Sequence, residues 1–173
     1  KRHQTSKTSK KSDDVANPVH LRLLSWNIHD SNDSITGSKL SDKMFVKTTS
    51  QCDIICLQET KRGVKKPDFK CYNSNRPDSR SGGLCIGIKH GICSLVTPVS
   101  TKNFSHDIQA VRISRKLNSL TKDILLVNIY DSSINSSYKK KLIGIGRYEE
   151  MLESLNNFLA IDRGDSHLIL KTV

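Results

Sequence analysis

Acidic and apolar residues are both scarce in this 173-residue chain: Asp and Glu total 17 against 28 Lys and Arg, and hydrophobic residues make up 35%. The resulting net charge of +11 favours polyanionic partners, nucleic acid first and an anionic membrane second. The plainer alternative is a soluble basic protein. No run approaches the ~18 apolar residues of a membrane span. No apolar segment of signal-peptide type follows the basic start, so the expectation is an intracellular protein of the nucleus or cytoplasm. An apolar membrane-contact loop is missing as well. The five cysteines, Cys52, Cys56, Cys71, Cys85 and Cys93, are odd in number and have no His-Cys pattern beside them. That argues against a disulfide framework and against a zinc site. Cys56 and Cys85 sit inside apolar strand patterns, where buried free thiols belong.

What is present starts with a polar tail. Residues 1–17 carry five basic residues among the first eleven, several Ser and Thr, and almost nothing apolar. They read as a disordered tail or linker, with Pro18 marking entry to one domain over 18–173, long enough for a real core. Two strand-like runs follow. Leu21 to Ile28 ends in Ser25-Trp26-Asn27-Ile28. Ile54-Ile55-Cys56-Leu57 is a continuous apolar run that fits a strand buried on both faces, and it delivers Gln58-Glu59-Thr60 at its tip. Ligand sites in open α/β sheets collect at such strand ends, and a carboxylate there suits a hard cation. Between the two runs, Leu40, Met44 and Phe45 fall at helical spacing, with Ser38 or Ser41 as N-cap, Met44 and Phe45 as core. This predicts a β-α-β crossover.

Ser-Trp-Asn-Ile followed some thirty positions later by Asp53-Ile54-Ile55-Cys56-Leu57-Gln58-Glu59-Thr60 resembles the endonuclease/exonuclease/phosphatase family. That family includes apurinic endonucleases, retrotransposon endonucleases, sphingomyelinases and inositol phosphatases. The resemblance implies a four-layer α/β sandwich of DNase I-like type, with two sheets packed together and helices outside. It implies Mg²⁺-dependent phosphodiester hydrolysis (Mn²⁺ as the other candidate), with an endonuclease on DNA as the leading case. Glu59 and Asn27 would be the metal residues, and Tyr130, at the end of the Asp123–Tyr130 run, would position a phosphate. Asn27, Glu59 and Tyr130 are thus the candidate catalytic residues. Gly82-Gly83, opening the next strand, stands in the order the family shows. In relatives the Tyr is often followed by Pro-Asn; here Asp131 to Asn135 follows.

Past Glu59 the chain turns basic, with eight Lys and Arg against two acids between Thr60 and His90. Lys61, Arg62 and Arg80 are the candidate substrate-binding cations, and a solvated charged loop is the alternative. Ile108–Ile113 reads as a strand. His106 reads as a surface turn. Tyr138, Leu142, Ile145, Tyr148, Leu152, Leu155 and Leu159 form a helical stripe, weakened at Gly144 and Gly146. A last strand runs through His167–Leu170, with Asp165 before it. The family's Gly-Asp-Phe-Asn-like and Asp-His motifs, which supply the water-activating Asp and the catalytic His, have no counterpart after it. The expectation is therefore a fold incomplete at its C-terminus, an isolated chain that is inactive or severely impaired, and self-association through the incomplete sheet. The competing reading from another class is a non-catalytic nucleic-acid-binding remnant. A phosphoinositide phosphatase or sphingomyelinase-type member is less favoured.

Overall fold

The structure, a computed structural model, describes residues 20–30, 32–33, 37–76, 82–101, 106–117, 121–131, 137–144, 147–162 and 166–172. The basic tail, Pro18, Arg80, Asp165 and most of the 131–135 loop lie outside the described residues.

The apolar run predicted to be buried on both faces is β4, Ile54–Gln58, and every residue in it is buried. It pairs in parallel with β1, Leu23–Asn27, in a register that sets Asn27 beside Gln58. A short hairpin (β2, Asn32–Asp33; β3, Gly37–Ser38), a 3-10 turn over Lys39–Ser41 and helix α1, Lys43–Ser50, make the crossover between them. Ser38 caps the 3-10 turn, but α1 itself starts at Asp42, whose carboxylate accepts from the amides of Met44 and Phe45. Placing the helix start at Asp42 turns Phe45 onto the sheet, 3% exposed and 5.5 Å from the Trp26 ring, and turns Met44 out to solvent at 70% exposure. The expectation that Met44 is core is thus wrong: adjacent helical positions face about 100° apart, and only one of the two can meet the sheet.

Two further strands complete the first sheet, in the order β1-β4-β6-β5: β5, Phe69–Ser74, and β6, Leu84–Lys89. After a 3-10 turn, the second sheet takes β7, Val96–Val99, β8, Ile108–Ile113, β9, Asp123–Ile129, and β10, Ser166–Thr172, in the order β10-β9-β8-β7. The helical stripe is two helices, α2, Ser137–Gly144, and α3, Arg147–Asp162. Gly144, one of the two glycines that weaken the pattern, is the last residue of α2.

Alternation along each strand sorts the side chains into three apolar clusters. Ile54, Cys56, Ile86 and Ile88 of the first sheet face Val111, Ile113, Ile124 and Leu126 of the second. The outer face of the first sheet, Ile55, Leu57 and Cys85, packs on Phe45 of α1. The outer face of the second, Ile108, Ala110, Leu125 and Val127, packs on Leu155 and Leu159 of α3. Helix, sheet, sheet, helix is the expected four-layer sandwich. Among the described residues each of these two sheets has four strands.

Candidate active site at the Glu59 turn

At one end of the sandwich the intersheet core gives way to polar groups. Gln58, the last residue of β4, is buried and donates to Asn128 Oδ1 of β9 at 2.6 Å and to Ser25 Oγ of β1 at 3.1 Å. The Asn128 amide in turn donates to the Leu57 carbonyl. Alternation points Gln58 inward like Ile54 and Cys56. Its amide therefore ties β1, β4 and β9 together directly beneath the next residue.

That residue is Glu59. Its backbone has φ of +54°, and Lys61 two positions on has φ of +51°, both in the left-handed region that L side chains rarely enter. The turn is held against the Gly pair that opens β6: Thr60 N–H donates to the Gly83 carbonyl and Lys61 N–H to that of Gly82. Both glycines have positive φ, and a Cβ on Gly83 would come within 2.8 Å of Thr60 Oγ1 and 3.1 Å of Lys61 N. Glycine is needed there for backbone conformation and for close approach.

Three donors converge on the Glu59 carboxylate. Oε1 accepts from Asn27 Nδ2 at 3.1 Å and from the Tyr130 hydroxyl at 2.6 Å; Oε2 lies 3.0 Å from His29 Nδ1. Burial works to raise the Glu59 pKa, but the hydrogen bonds from Tyr130, Asn27 and His29 outweigh it and hold the carboxyl below its ordinary value. Burial and the bond to Glu59 push the Tyr130 hydroxyl up to about 12, so it stays protonated and donating. The side chain of Glu59 is 20% exposed. An ionised, partly open carboxylate is the donor type that hard cations take. Within the trio, Glu59 is the group of that donor type. Among the described residues no cluster of three or more His, Cys, Asp or Glu side chains is placed to hold a metal. The Asn27 amide nitrogen faces Glu59, while its oxygen accepts from the His29 amide at 3.1 Å.

The expected trio of Asn27, Glu59 and Tyr130 is thus brought together. Lys61 stands next to it, with its ammonium 3.1 Å from Asp30 Oδ2. Arg62 is exposed on the same strap. Arg76, which composition counts with the surface cations, is 3% exposed and makes a two-pronged pair with Asp107, at 2.9 Å through Nε and 2.6 Å through a terminal nitrogen. Its guanidinium lies 5.7 Å from the centre of the Tyr130 ring, and the Asp107 carbonyl accepts from Tyr130 N–H. Burial drives the Asp107 pKa up, and Arg76 only partly offsets it. His106 is an exposed turn residue, as expected. Sequence reasoning missed His29, two residues past Asn27, and the Arg76–Asp107 support of Tyr130. Asp107 just before an alternating strand was the one available signal.

No protein-family model and no curated protein sequence matches the chain. Solved structures do. The chain is similar to the AP endonuclease LMAP from Leishmania major at 12% identity and a TM-score of 0.55, over 78% of this chain and 47% of that one. The human Nocturnin catalytic domain, solved with a bound sulfate anion, matches at 13% identity and 0.55, over 88% and 62%. The APE2 catalytic domain from Xenopus laevis matches at 19% identity and 0.51, over 88% and 57%. The fold is a DNase I-like mixed α/β arrangement of two sheets, and the chain spans about half to three-fifths of the length of these solved chains.

Proposed function

We propose that the Glu59 turn binds a phosphodiester of nucleic acid, DNA first, with a divalent cation held at the Glu59 carboxylate, and that the domain is of the nuclease type. The observation that carries this is the convergence of Asn27, Tyr130 and His29 on one ionised carboxylate at the shared end of two sheets. In this reading Asn27 and Tyr130 fix the carboxylate's orientation and keep it charged. A bound cation would supply neutralisation of charge on the phosphate and on the leaving oxygen. Lys61 and Arg62, next in the chain, add the positive field that a phosphate backbone meets. An AP endonuclease among the solved chains of like fold is compatible with this class.

A second reading, binding without turnover, is favoured by one observation: among the described residues no group of three or more His, Cys, Asp or Glu side chains is placed to hold a metal. Groups that act as a unit in catalysis lose several orders of magnitude when members are missing. The test is Mg²⁺-dependent nicking of supercoiled plasmid and retention of duplex DNA, each with Glu59→Gln alongside. The expected result is Mg²⁺-stimulated DNA binding with slow nicking, both reduced in the variant. Binding without any nicking favours the second reading. Binding indifferent to Mg²⁺ and to Glu59→Gln sinks the site.

A further inference from the structure

Arg76 follows shortly after the end of β5 and turns inward, its side chain only 1% exposed. A basic residue is almost never buried so fully unless it is paired. Here Nε and a terminal nitrogen both donate to the Asp107 carboxylate, at 2.9 and 2.6 Å, which fixes the plane of the guanidinium as well as its place. Ser74 Oγ donates to the His106 carbonyl at 2.9 Å and fastens the end of β5 to the same segment. So held, the guanidinium meets two further groups. One is Gly82, at φ of +71°: a Cβ there would stand 2.5 Å from Arg76 Nε, 2.6 Å from Cζ and 2.9 Å from Cδ. A free arginine would step aside from such a contact; this one is clamped. The other is Tyr130, whose ring centre lies 5.7 Å from the guanidinium carbon, within cation–π range. Tyr130 N–H also donates to the Asp107 carbonyl at 3.0 Å. Both groups lead to Glu59. The Gly82 carbonyl accepts from Lys61 N–H at 2.8 Å and holds the strained turn, and the Tyr130 hydroxyl donates to Glu59 Oε1 at 2.6 Å.

We propose that Arg76 is a positioning residue of the Glu59 site: its guanidinium, clamped by Asp107, sets the backbone of the Glu59 turn through Gly82 and the aim of the Tyr130 hydroxyl through the ring. Charge alone does not fill this role. A lysine ammonium beside Asp107 would keep the ion pair, but it has neither the planar fork nor a flat face to set against Gly82 and Tyr130. Arg76 thus acts on a bound cation without touching it, because a carboxylate held out of place loses affinity even when every ligand is present. The functional half of this inference rests on the reading of Glu59 as the cation site; the geometric half does not.

The test compares Arg76→Lys with the wild-type chain and with Glu59→Gln. Amide hydrogen exchange, resolved by residue with NMR, reads the two supports: Lys61 N–H for the turn and Tyr130 N–H for the ring. Calorimetry with Mg²⁺ alone reads the site. In Arg76→Lys both amides should exchange on the order of tenfold faster while amides of β4 and β8 keep their protection, a local loosening that a global loss of stability would not produce. Mg²⁺ affinity should fall about tenfold, as it does when groups behind a metal ligand are removed. The double variant Arg76→Met with Asp107→Leu removes both buried charges together, a change that is often neutral in stability. It should show the same two losses, and it carries the test if Arg76→Lys does not fold. Unchanged exchange at Lys61 and Tyr130 overturns the proposal, as does faster exchange shared equally by β4 and β8, or Mg²⁺ affinity equal to wild type in these variants. Mg²⁺ binding that Glu59→Gln leaves untouched overturns the reading of the site instead, and the exchange result then still decides whether Arg76 holds the turn.

Discussion

Glu59 is a residue whose charge is maintained by its neighbours. Its folded pKa lies below the ordinary carboxylate value of about 4.3. The hydrogen bonds from Tyr130, Asn27 and His29 therefore contribute stability that is fully present above the unfolded-state pKa. That stability is lost as pH falls through the folded-state value. Cation binding at Glu59 should disappear in the same acid window. Tyr130→Phe removes the donor at 2.6 Å, so the acid limb of a Mg²⁺-binding titration should move up towards the ordinary carboxylate value, and an unmoved limb would remove Tyr130 from the site's electrostatics. Asp107 presents the opposite case, a carboxyl raised by burial that survives because Arg76 is beside it. Truncating one partner of a buried pair leaves the other charge uncompensated. Asp107→Ala should cost about 3–5 kcal/mol in urea unfolding, and a loss below 1 kcal/mol would show that water reaches Arg76.

The end of β4 and the opening of β6 carry the site's geometry. The Gly82-Gly83 opening of β6 receives the Thr60 and Lys61 amides. Gly83→Ala requires an L side chain at φ of +88° with its Cβ against Thr60. The expected cost is about 1–3 kcal/mol, accompanied by weakened cation binding as the Glu59 turn is displaced; unchanged calorimetric Tm and cation affinity would mean the turn adapts freely. Helix α1 depends on Asp42, which accepts from Met44 and Phe45 amides at 2.8 and 3.0 Å. Asp42→Ala should lower stability by about 0.5–2 kcal/mol without altering the site, because α1 packs on the sheet's outer face through Phe45. A matched loss of cation affinity would contradict that separation.

For the whole molecule, the net charge of +11 sets an expectation independent of any single residue. DNA binding should weaken steeply as salt rises, with a logarithmic slope of about −0.9 for each phosphate neutralised. Filter binding between 50 and 200 mM NaCl checks this, those concentrations being on the order of the range over which multi-contact binders lose most affinity. A flat response would mean that base or shape contacts, not the phosphate backbone, dominate. Arg76 should contribute little to the slope, since it is spent on Asp107 inside the fold. Lys65 and Arg62, both exposed, remain candidates for that contact.

Much of the frame is written in local pattern. Ile54 to Leu57 fits a strand covered on both faces, because four apolar residues in succession leave no polar side to turn to water, and such a strand puts Glu59 at its rim. The alternation of Ile108–Ile113 is local in the same sense. Met44 shows where local pattern fails: helical spacing places it beside Phe45, but only the Asp42 cap decides which of the two faces the sheet. The donors around Glu59 come from positions 30, 32 and 71 residues away. The Arg76–Asp107 pair spans 31. The resemblance names Asn27 and Tyr130, but it carries no mark for His29 or Asp107. Hydrophobic periodicity is set by the nearest residues along the chain. Hydrogen-bond partners are set by sheet register and by which strand ends meet, and these exist only once the two sheets have packed.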